Sequence, residues 1–387
     1  MRADRALPLL GGLSSTQFMR RHWQKKPLVV RAAAPDALPG CGPRQLFALA
    51  TEPGVESRLV VRDAAGRWTL RHGPLPRRAL PALATPGWSL LVQGVDLHDD
   101  AAHRLLSRFR FVADARLDDL MVSFASDGGG VGPHIDSYDV FLLQLAGRRR
   151  WRIAPPVADP SMRSDVPLRM LETFEATEEW LLDAGDILYL PPGWGHEGVA
   201  VGACLTASIG FRAADAPILG AEMLERIAEG AAEAAAGQTA AKRRRYRDAG
   251  VAATSRPARV PAALQRFADA AALALLADRH ERARALGELS SEPKPGTRFD
   301  GGEVLAAATG VLLDRRTRML YDAHHVFVNG ESFRAAGRDA RLMRRLADHR
   351  RLEASQVESL SGEAGELLRQ WVEDGWCHAL AVDGDGT

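Results

Sequence analysis

The chain has 387 residues, a formal net charge of +1 and 46% hydrophobic residues. This balance is typical of a globular protein with a sizeable core and two or three domains, and it gives no indication of bulk binding to DNA or anionic lipid. The N-terminus lacks an apolar segment of secretory length and no run approaches a membrane span. Cys41, Cys204 and Cys377 form neither a zinc spacing nor a disulfide framework. We therefore expect a cytoplasmic protein without membrane contact.

Short strand patterns dominate the chain from about Trp23 to Phe211. Turns rich in Gly, Pro and Asp separate PLVVRA, SRLVVRD, WSLLVQG, DDLMVSFAS, DVFLLQLAG, RRWRIAPP, GDILYLPPG and ACLTASIGF. Many short strands at fairly regular spacing predict a barrel or sandwich rather than a parallel sheet with crossover helices. We expect one mostly β domain over residues 1–213.

Two further regions differ from this texture. Residues 214–294 are rich in Ala, Leu, Glu and Arg and have helical periodicity, as in ILGAEMLERIAEGAAEAAA and PAALQRFADAAALALLADRHERARAL. Residues 295–387 predict a helix in EVLAAATGVLLD, a hairpin at Asn329-Gly330, two amphipathic helices and a last strand. A helix-rich unit with one hairpin is typical of a winged helix.

The charge of this last region bears on its partners. From Asp300 onward there are 11 Arg, no Lys and 15 Asp plus Glu, a net charge of 11 − 15 = −4. An acidic winged helix is a poor phosphate binder. We therefore interpret it as a protein-docking or structural module and expect no direct sequence-specific binding of nucleic acid.

A candidate metal site begins in VGPHIDSYDVFLLQLAG, where His134 and Asp136 open a strand. Because residues i and i+2 point to the same face of a strand, both side chains can reach one ion. His196 follows a rigid PPG turn some sixty residues later and supplies a third ligand. Two imidazoles and one carboxylate leave coordination sites open, the arrangement of non-haem Fe(II) oxygenases. An HxD pair alone can merely cap a turn, so the joint pattern carries the prediction.

These motifs resemble the JmjC-type cupin oxygenases and, more closely, the bacterial ribosomal oxygenases that hydroxylate an arginine of large-subunit ribosomal protein sixteen. HxD with the later PPGWxH, the GGGVGPHxDxYDVF stretch and GRRRW carry the resemblance. It implies a catalytic double-stranded β-helix (a cupin jelly roll), an α-helical dimerisation region and a winged-helix-like α+β C-terminal domain. It also implies Fe(II) at His134, Asp136 and His196, with 2-oxoglutarate and O2 as cosubstrates and succinate and CO2 as products.

Such an enzyme needs a cation for the distal carboxylate of 2-oxoglutarate, and three consecutive arginines are available in RRRWRI. Arg149 shares a strand face with Trp151 and the following Ile, whereas Arg148 and Arg150 share the opposite face. If the apolar face is interior, Arg149 is buried and requires an anionic partner. The family's basic cosubstrate residue sits at the same position, so we choose Arg149. Hydroxyls that could assist it are Ser123, Thr206 and Ser208.

A substrate arginine requires a carboxylate for its guanidinium and a flat apolar surface beside it. Asp127, just before a glycine run, and Tyr138, on the parity of His134 and Asp136, are the candidates, with Met121 as an opposite wall. A turn-capping Asp and a core Tyr are the alternatives.

Three functions stay open at this point. The first is hydroxylation of an arginyl residue of the ribosomal protein, and the second is the same chemistry on a histidyl residue, a lysine or RNA. The third is a non-catalytic metal-binding cupin. The Ala/Leu-rich helices expose more apolar surface than a small insert can bury, and the related oxygenases dimerise through this region, so we expect a homodimer.

Overall fold

The structure of the chain, a computed structural model, describes residues 4–35, 37, 42–237 and 244–380. Its contacts divide the chain into two units, Met1–Ala213 and Ala214–Thr387. The expected division of the second unit into residues 214–294 and 295–387 stays a prediction. Cys41 lies outside the described residues, whereas Cys204 and Cys377 are buried free thiols. Within the described ranges, no helix is both long and apolar enough to cross a bilayer.

The first unit is built on one large antiparallel sheet, which confirms the predicted mostly β architecture. Its strands are β1 (Leu28–Val30), β2 (Ser57–Arg62), β3 (Trp68–His72), β4 (Trp88–Val92), β5 (Leu117–Ala125), β6 (His134–Ile135), β7 (Val140–Ala154), β8 (Glu178–Leu182), β9 (Ile187–Leu190) and β10 (Gly195–Phe211). The strand order is β1-β9-β7-β10-β5-β4-β2-β3, while β6 pairs with β10 and β8 with β7. Strands β3 and β8 were not among the predicted ones.

Two long strands form the centre of this sheet. The predicted strands DVFLLQLAG and RRWRIAPP are one strand, β7, which pairs with β10 over most of its length. At their junction Gly147 adopts φ +64°, and a Cβ there would collide with the backbone of Ala203. The pairing register also shifts between Val201 and Leu205. The glycine therefore allows a bulge inside a continuous strand. The sequence pattern predicted a boundary between two strands at this position.

The two faces of the sheet have different roles. One face packs on the core with the helices α1 (Ser15–Arg21), α2 (Pro43–Leu49) and α3 (Asp100–Ser107), and with 3-10 turns at Pro8–Leu10, Arg77–Ala79 and Val95–Leu97. Leu205, Ala207 and Ile209 of β10 lie in this core. By strand alternation, Thr206 and Ser208 of β10 point to the other face. That face carries the candidate site.

The second unit begins with helices α4 (Ala216–Ala236), α5 (Ala262–Ala277) and α6 (Arg279–Ser291), as its periodicity predicted. Asp278 separates α5 from α6, and its carboxylate accepts hydrogen bonds from the first amides of α6. The leucines of α5 remain exposed, with Leu273 at 65% and Leu275 at 43%.

The C-terminal part of this unit is the predicted winged-helix-like region. Its elements are β11 (Val311–Leu313), β12 (Met319–Tyr321), β13 (His325–Val328), β14 (Glu331–Arg334), α7 (Gly337–His349), β15 (Arg351–Leu352), α8 (Ala354–Glu358), α9 (Gly362–Glu373) and β16 (Cys377–Ala379). They form the small sheets β15-β11-β16 and β12-β13-β14. Asn329 and Gly330 both have positive φ, which confirms the two-residue hairpin turn between β13 and β14.

The predicted helix in EVLAAATGVLLD is wrong. The segment leads instead into β11, where Val311 is fully buried and pairs with both Leu352 and Ala379. A Cβ at the preceding Gly310 would lie 2.6 Å from the carbonyl oxygen of Leu352. Close packing of neighbouring backbones therefore overrides the helical propensity of the alanines.

Helix α6 packs closely against the hairpin through a glycine. A Cβ added at Gly287 would collide with the buried ring of Phe327, whereas one added at Gly220 in α4 would meet no atom within 4 Å. We predict that Gly287→Ala lowers the free energy of unfolding by about 1–3 kcal/mol, because the ring has little room to move.

The matched variant Gly220→Ala should instead raise the free energy of unfolding by about 0.5–1 kcal/mol, through helix propensity alone. Chemical denaturation followed by circular dichroism measures both values. Equal stabilisation by the two substitutions would contradict the packing described for α6.

Candidate metal centre and active site

Pairing of β6 with β10 brings two histidines together. His134 lies directly opposite His196, and the centroids of their rings are 4.2 Å apart. Asp136 follows β6 by one residue and turns its carboxylate toward both rings. A short strand and the beginning of a long one therefore place three potential ligands at one end of the sheet.

The ligand atoms of these three residues lie within 4.8 Å of one another. Asp136 Oδ1 is 3.9 Å from His134 Nε2, and Asp136 Oδ2 is 3.6 Å from His196 Nε2. His196 is buried, whereas the other two side chains are partly exposed. The triad thus closes on its protein side and opens toward solvent, as a centre that must admit ligands requires.

Both histidines are held in the tautomer that suits a metal. Nδ1 of His134 lies 3.0 Å from the carbonyl oxygen of Gly132, and Nδ1 of His196 lies 3.0 Å from that of Trp194. A carbonyl oxygen can only accept, so each Nδ1 carries the proton and each Nε2 offers its lone pair to the centre. In metal-bound histidines, a hydrogen bond to the ring nitrogen that does not bind the metal orients the ring, and these backbone contacts have the same effect.

Electrostatics keep His196 neutral near pH 7. Burial and the neighbouring His134 lower the pKa of His196 to about 4, against a smaller opposing effect of the Asp136 carboxylate. A neutral imidazole is the form that binds a metal. The donor set of two imidazoles and one carboxylate therefore fits Fe(II).

The central strand β7 carries the expected alternation. Arg149 is buried beside Trp151, whereas Arg148 and Arg150 are exposed, and Arg150 pairs with Glu179 at 3.2 Å. The guanidinium of Arg149 lies over the ring of Trp151, 4.9 Å from its centroid.

Arg149 has no countercharge in the described part of the chain. Its Nη1 donates to Ser123 Oγ and to Thr206 Oγ1 at 3.4 Å each, and its Nη2 donates to the carbonyl oxygen of Gly198 at 3.1 Å. Its Nε is buried without a hydrogen-bond partner among the described residues, and burial lowers the pKa of the guanidinium. Two of the three hydrogen bonds are near the upper limit of length, so the group has donors left for an anion.

Gly198 permits this arrangement. A Cβ at this position would lie 2.6 Å from Arg149 Nε and 2.6 Å from the ring of Trp151. Gly198 follows His196 by two residues on β10, a separation of about 7 Å along a strand. The buried cation and the triad are therefore neighbours, at a spacing suited to a short dicarboxylate.

The hydroxyls expected near Arg149 lie on this face of the sheet. Ser123 and Thr206 are cross-strand partners and both accept from Arg149, whereas Ser208 pairs with Met121 one step along the strands. The sequence analysis missed Gln144, whose fully buried amide accepts a 3.0 Å hydrogen bond from Thr206 Oγ1.

Tyr138 lies beside the triad. Burial and the neighbouring carboxylates of Asp136 and Asp119 raise the pKa of Tyr138. The side chain remains 38% exposed, so its ring can form one wall of an open cleft. Met121 lies on the adjoining strand β5 with its side chain half-buried.

Asp127 does not join this group. Its exposed carboxylate accepts a 2.7 Å hydrogen bond from the amide of Gly202. Gly202 lies in the middle of β10, at the register shift between Val201 and Leu205. Asp127 thus makes the turn-capping contact that was the alternative for it, and its contact with a substrate stays a prediction.

A different carboxylate stands near Tyr138. Asp119 is buried on β5, and an atom at the Cβ position of Gly210 would lie 3.9 Å from Asp119 Oδ1 and 4.0 Å from the Tyr138 ring. Its Oδ2 accepts from the amide of Gly94 at 2.9 Å. Asp119 shares strand parity with Met121 and Ser123, a signal in DDLMVSFAS that could have singled it out.

Comparison with known proteins agrees with this geometry. A family model described as a JmjC domain matches residues 104–218, and a model described as a ROXA-like winged helix matches residues 274–378. The second match begins within α5 and includes α6.

Curated relatives match about half of the chain. The chain is 42% identical over 201 residues to the ribosomal protein uL16 3-hydroxylase of Escherichia coli strain K12, a match that covers 52% of this chain and 53% of that protein. It is 36% identical over 197 residues to a probable ribosomal oxygenase of Haemophilus influenzae, covering 50% and 48%. The chain thus spans about half the length of the curated relatives it matches.

Solved structures extend the likeness to nearly the whole chain. A structure of YcfD, a ribosomal oxygenase from E. coli, is 30% identical with a TM-score of 0.76 and covers 95% of this chain and 98% of that one. A second structure of that protein, in complex with cobalt and 2-oxoglutarate, has a TM-score of 0.77 at 29% identity, covering 95% and 99%. The chain therefore belongs to the bacterial ribosomal oxygenase family.

Proposed function

We propose that the chain is an Fe(II)- and 2-oxoglutarate-dependent hydroxylase that acts on an arginyl residue of large-subunit ribosomal protein uL16. The observation that carries the proposal is the buried Arg149, a cation without a countercharge among the described residues, beside an open triad of potential metal ligands. The substrate follows the name of the E. coli relative. A ribosomal protein as substrate is also consistent with the expected cytoplasmic location.

His134, Asp136 and His196 would hold the metal through two Nε2 atoms and one carboxylate. Bound Fe(II) supplies activation of O2, which couples oxidation of a substrate C–H bond to the conversion of 2-oxoglutarate to succinate and CO2. The protein's own contribution at this point is to keep His196 neutral, both imidazoles oriented and one side of the triad open.

Arg149 would bind the distal carboxylate of 2-oxoglutarate through the donors that its present contacts leave underused. Ser123 and Thr206 hold the guanidinium from one side, and Gln144 fixes the direction of the Thr206 hydroxyl. Ser208, one step along β10, remains a candidate for the same cosubstrate. A charge-assisted contact in a buried pocket gives this end of the cosubstrate its orientation.

Tyr138, Met121 and Asp119 would form the pocket for the target side chain. A guanidinium needs an anionic acceptor and flat surfaces on its faces, and the Asp119 carboxylate lies beside the Tyr138 ring. Asp119 takes the role that the sequence analysis gave to Asp127. An arginine held there would bring its side-chain carbons toward the triad, since the Asp136 carboxylate is close enough to Tyr138 to raise the pKa of its hydroxyl.

Helix α5 is the proposed centre of a homodimer. Its leucines face solvent, and Leu273 and Leu276 lie one turn apart on an exposed stripe. An apolar stripe of this kind marks an association surface, and a symmetric pair of stripes closes on itself.

The reaction itself is tested with purified protein, Fe(II), 2-oxoglutarate and recombinant uL16. We expect succinate release and the mass increase of one oxygen on an arginine, and loss of both in Asp136→Ala, which removes the anionic ligand. Mass spectrometry after proteolysis measures the site. Oxygen on a histidine or lysine would redirect the substrate assignment, and the absence of succinate from the metal-loaded protein would favour a non-catalytic cupin.

Arg149→Ala should raise the 2-oxoglutarate concentration required for turnover, because loss of a buried charged contact costs roughly 2–5 kcal/mol. The matched variant Arg150→Ala removes an exposed ion pair with Glu179 and should change the required 2-oxoglutarate concentration little. Steady-state kinetics with varied 2-oxoglutarate measures both. A larger effect of Arg150→Ala would refute the assignment to Arg149.

Asp119→Ala should abolish most hydroxylation of uL16 while much of the uncoupled conversion of 2-oxoglutarate remains, because Asp119 would hold the substrate rather than the metal or the cosubstrate. Asp127→Ala, which removes a turn contact with Gly202, should retain hydroxylation. The ratio of hydroxylated protein to succinate reports the effect. The reverse outcome would return the substrate pocket to Asp127.

Leu273→Asp should convert the dimer to a monomer at micromolar concentration, since it places a charge in the apolar stripe. Leu83→Asp, at an exposed leucine of the first unit, is the control. Multi-angle light scattering measures the mass. A monomeric wild-type protein would remove the dimer proposal.

A further inference from the structure

The site face of the sheet extends beyond the residues used so far. Arg58 on β2 pairs with Leu91 on β4, which pairs with Ser123 on β5, which in turn pairs with Thr206. Cross-strand partners in a sheet point to the same face. The side chain of Arg58 therefore lies on the face that carries the cosubstrate residues, two strands away from Ser123.

Gln93 lies on the same face. It follows Leu91 by two residues. Its backbone N–H donates to the carbonyl oxygen of Glu56 at 2.9 Å, which continues the pairing of β2 with β4. Since Val92 pairs with Val122, Gln93 stands next to Met121. Arg58 and Gln93 are therefore diagonal neighbours, close enough for one ligand group to reach both.

Each of these side chains has a buried polar atom without a partner. Arg58 Nε and Gln93 Oε1 are shielded from solvent, yet neither has a hydrogen-bond partner in the described part of the chain. Arg149 Nε and Trp151 Nε1 share this condition in the proposed cosubstrate pocket. Buried polar groups in native proteins are nearly always satisfied, so a pair of exceptions on a binding face indicates a missing ligand.

The pair also adjoins the proposed substrate pocket. The positive charge of Arg58 acts on the hydroxyl of Tyr138, where it opposes part of the influence of Asp136 and Asp119. Met121 separates Gln93 from Ser208. Arg58 and Gln93 thus border the place where the target side chain would enter.

From this juxtaposition we infer a subsite for the main chain of the substrate: Arg58 and Gln93 bind one peptide group next to the hydroxylated residue. The inference rests on the proposed function. A peptide group carries one carbonyl acceptor and one N–H donor, which match Arg58 Nε–H and Gln93 Oε1. A second arginine would be repelled by Arg58, and a carboxylate would leave Gln93 Oε1 unpaired.

The first test uses a synthetic uL16 peptide centred on the target arginine. Arg58→Met and Gln93→Leu keep most of the apolar part of the side chain and remove the polar atoms, and each should raise the KM for peptide about tenfold. The KM for 2-oxoglutarate and the peptide-independent release of succinate should stay at wild-type values. Arg62→Met, an exposed arginine of the same parity on β2, is the control. Peptide KM values within twofold of wild type in both variants overturn the subsite.

The second test isolates the main chain. N-methylation of one amide beside the target arginine should weaken peptide binding to the wild type, measured by calorimetry with Mn(II) in place of iron. In Gln93→Leu the same N-methyl group should cause no further loss, because the partner is already absent. Equal losses in both proteins refute the contact. Gln93→Glu, which keeps an acceptor, should restore binding if Gln93→Leu folds poorly.

Failure of the subsite differs from failure of the proposed function. If the wild type binds the peptide and releases succinate but the variants match it, water alone satisfies Arg58 and Gln93 and the inference is wrong. If the wild type neither binds the peptide nor converts 2-oxoglutarate, the proposed function itself fails.

Discussion

The contact between the Arg149 guanidinium and its neutral neighbours shapes the whole candidate site. A buried cation is unfavourable unless it is hydrogen-bonded and paired, and here two hydroxyls, one carbonyl oxygen and an aromatic face take the place of a carboxylate. That arrangement needs strands β5, β7 and β10 in one register. It also needs a glycine at position 198, so that the guanidinium can approach the central strand.

Strand β10 contributes residues both to the triad and to the surroundings of Arg149. Its first residues contribute His196 and the carbonyl of Gly198, and its later residues contribute Thr206 and Ser208. Because the strand pairs with β7 along most of its length, the relative placement of the triad and of the residues around Arg149 depends on backbone hydrogen bonds rather than on flexible loops. Rigid elements of this kind hold a site to the precision that positioning a C–H bond requires.

The sequence predicted the features of this site that depend on the alternation of side chains along one strand. It did not predict those that depend on the pairing between strands. Alternation along β7 was sufficient to separate Arg149 from Arg148 and Arg150, since only neighbouring residues of one strand are compared. The choice of Asp127 relied on proximity along the chain, but its turn contacts Gly202 in the middle of β10. Asp119 had the correct parity, yet only the pairing of β5 with β10 brings it near Tyr138.

The fold shows the same division between local and long-range information. The hairpin at Asn329 and Gly330 depends on two residues whose φ is positive, and it was predictable from those residues alone. The strand that contains Val311 was not, because its partners Leu352 and Ala379 are some forty to seventy residues away. Gly147 suggested a turn between two strands, but in the structure it allows a bulge inside the single strand β7.

The backbone carbonyls that hold Nδ1 of His134 and His196 have a consequence for metal choice. They orient the donor atoms before any ion arrives, so the site cannot select iron by rearranging around it. A rigid set of two imidazoles and one carboxylate obeys the general affinity order of the divalent metals, in which cobalt, nickel and copper bind more tightly than Fe(II). Occupancy by iron then depends on the concentrations of free metals around the protein, and competing ions would act as inhibitors of the enzyme.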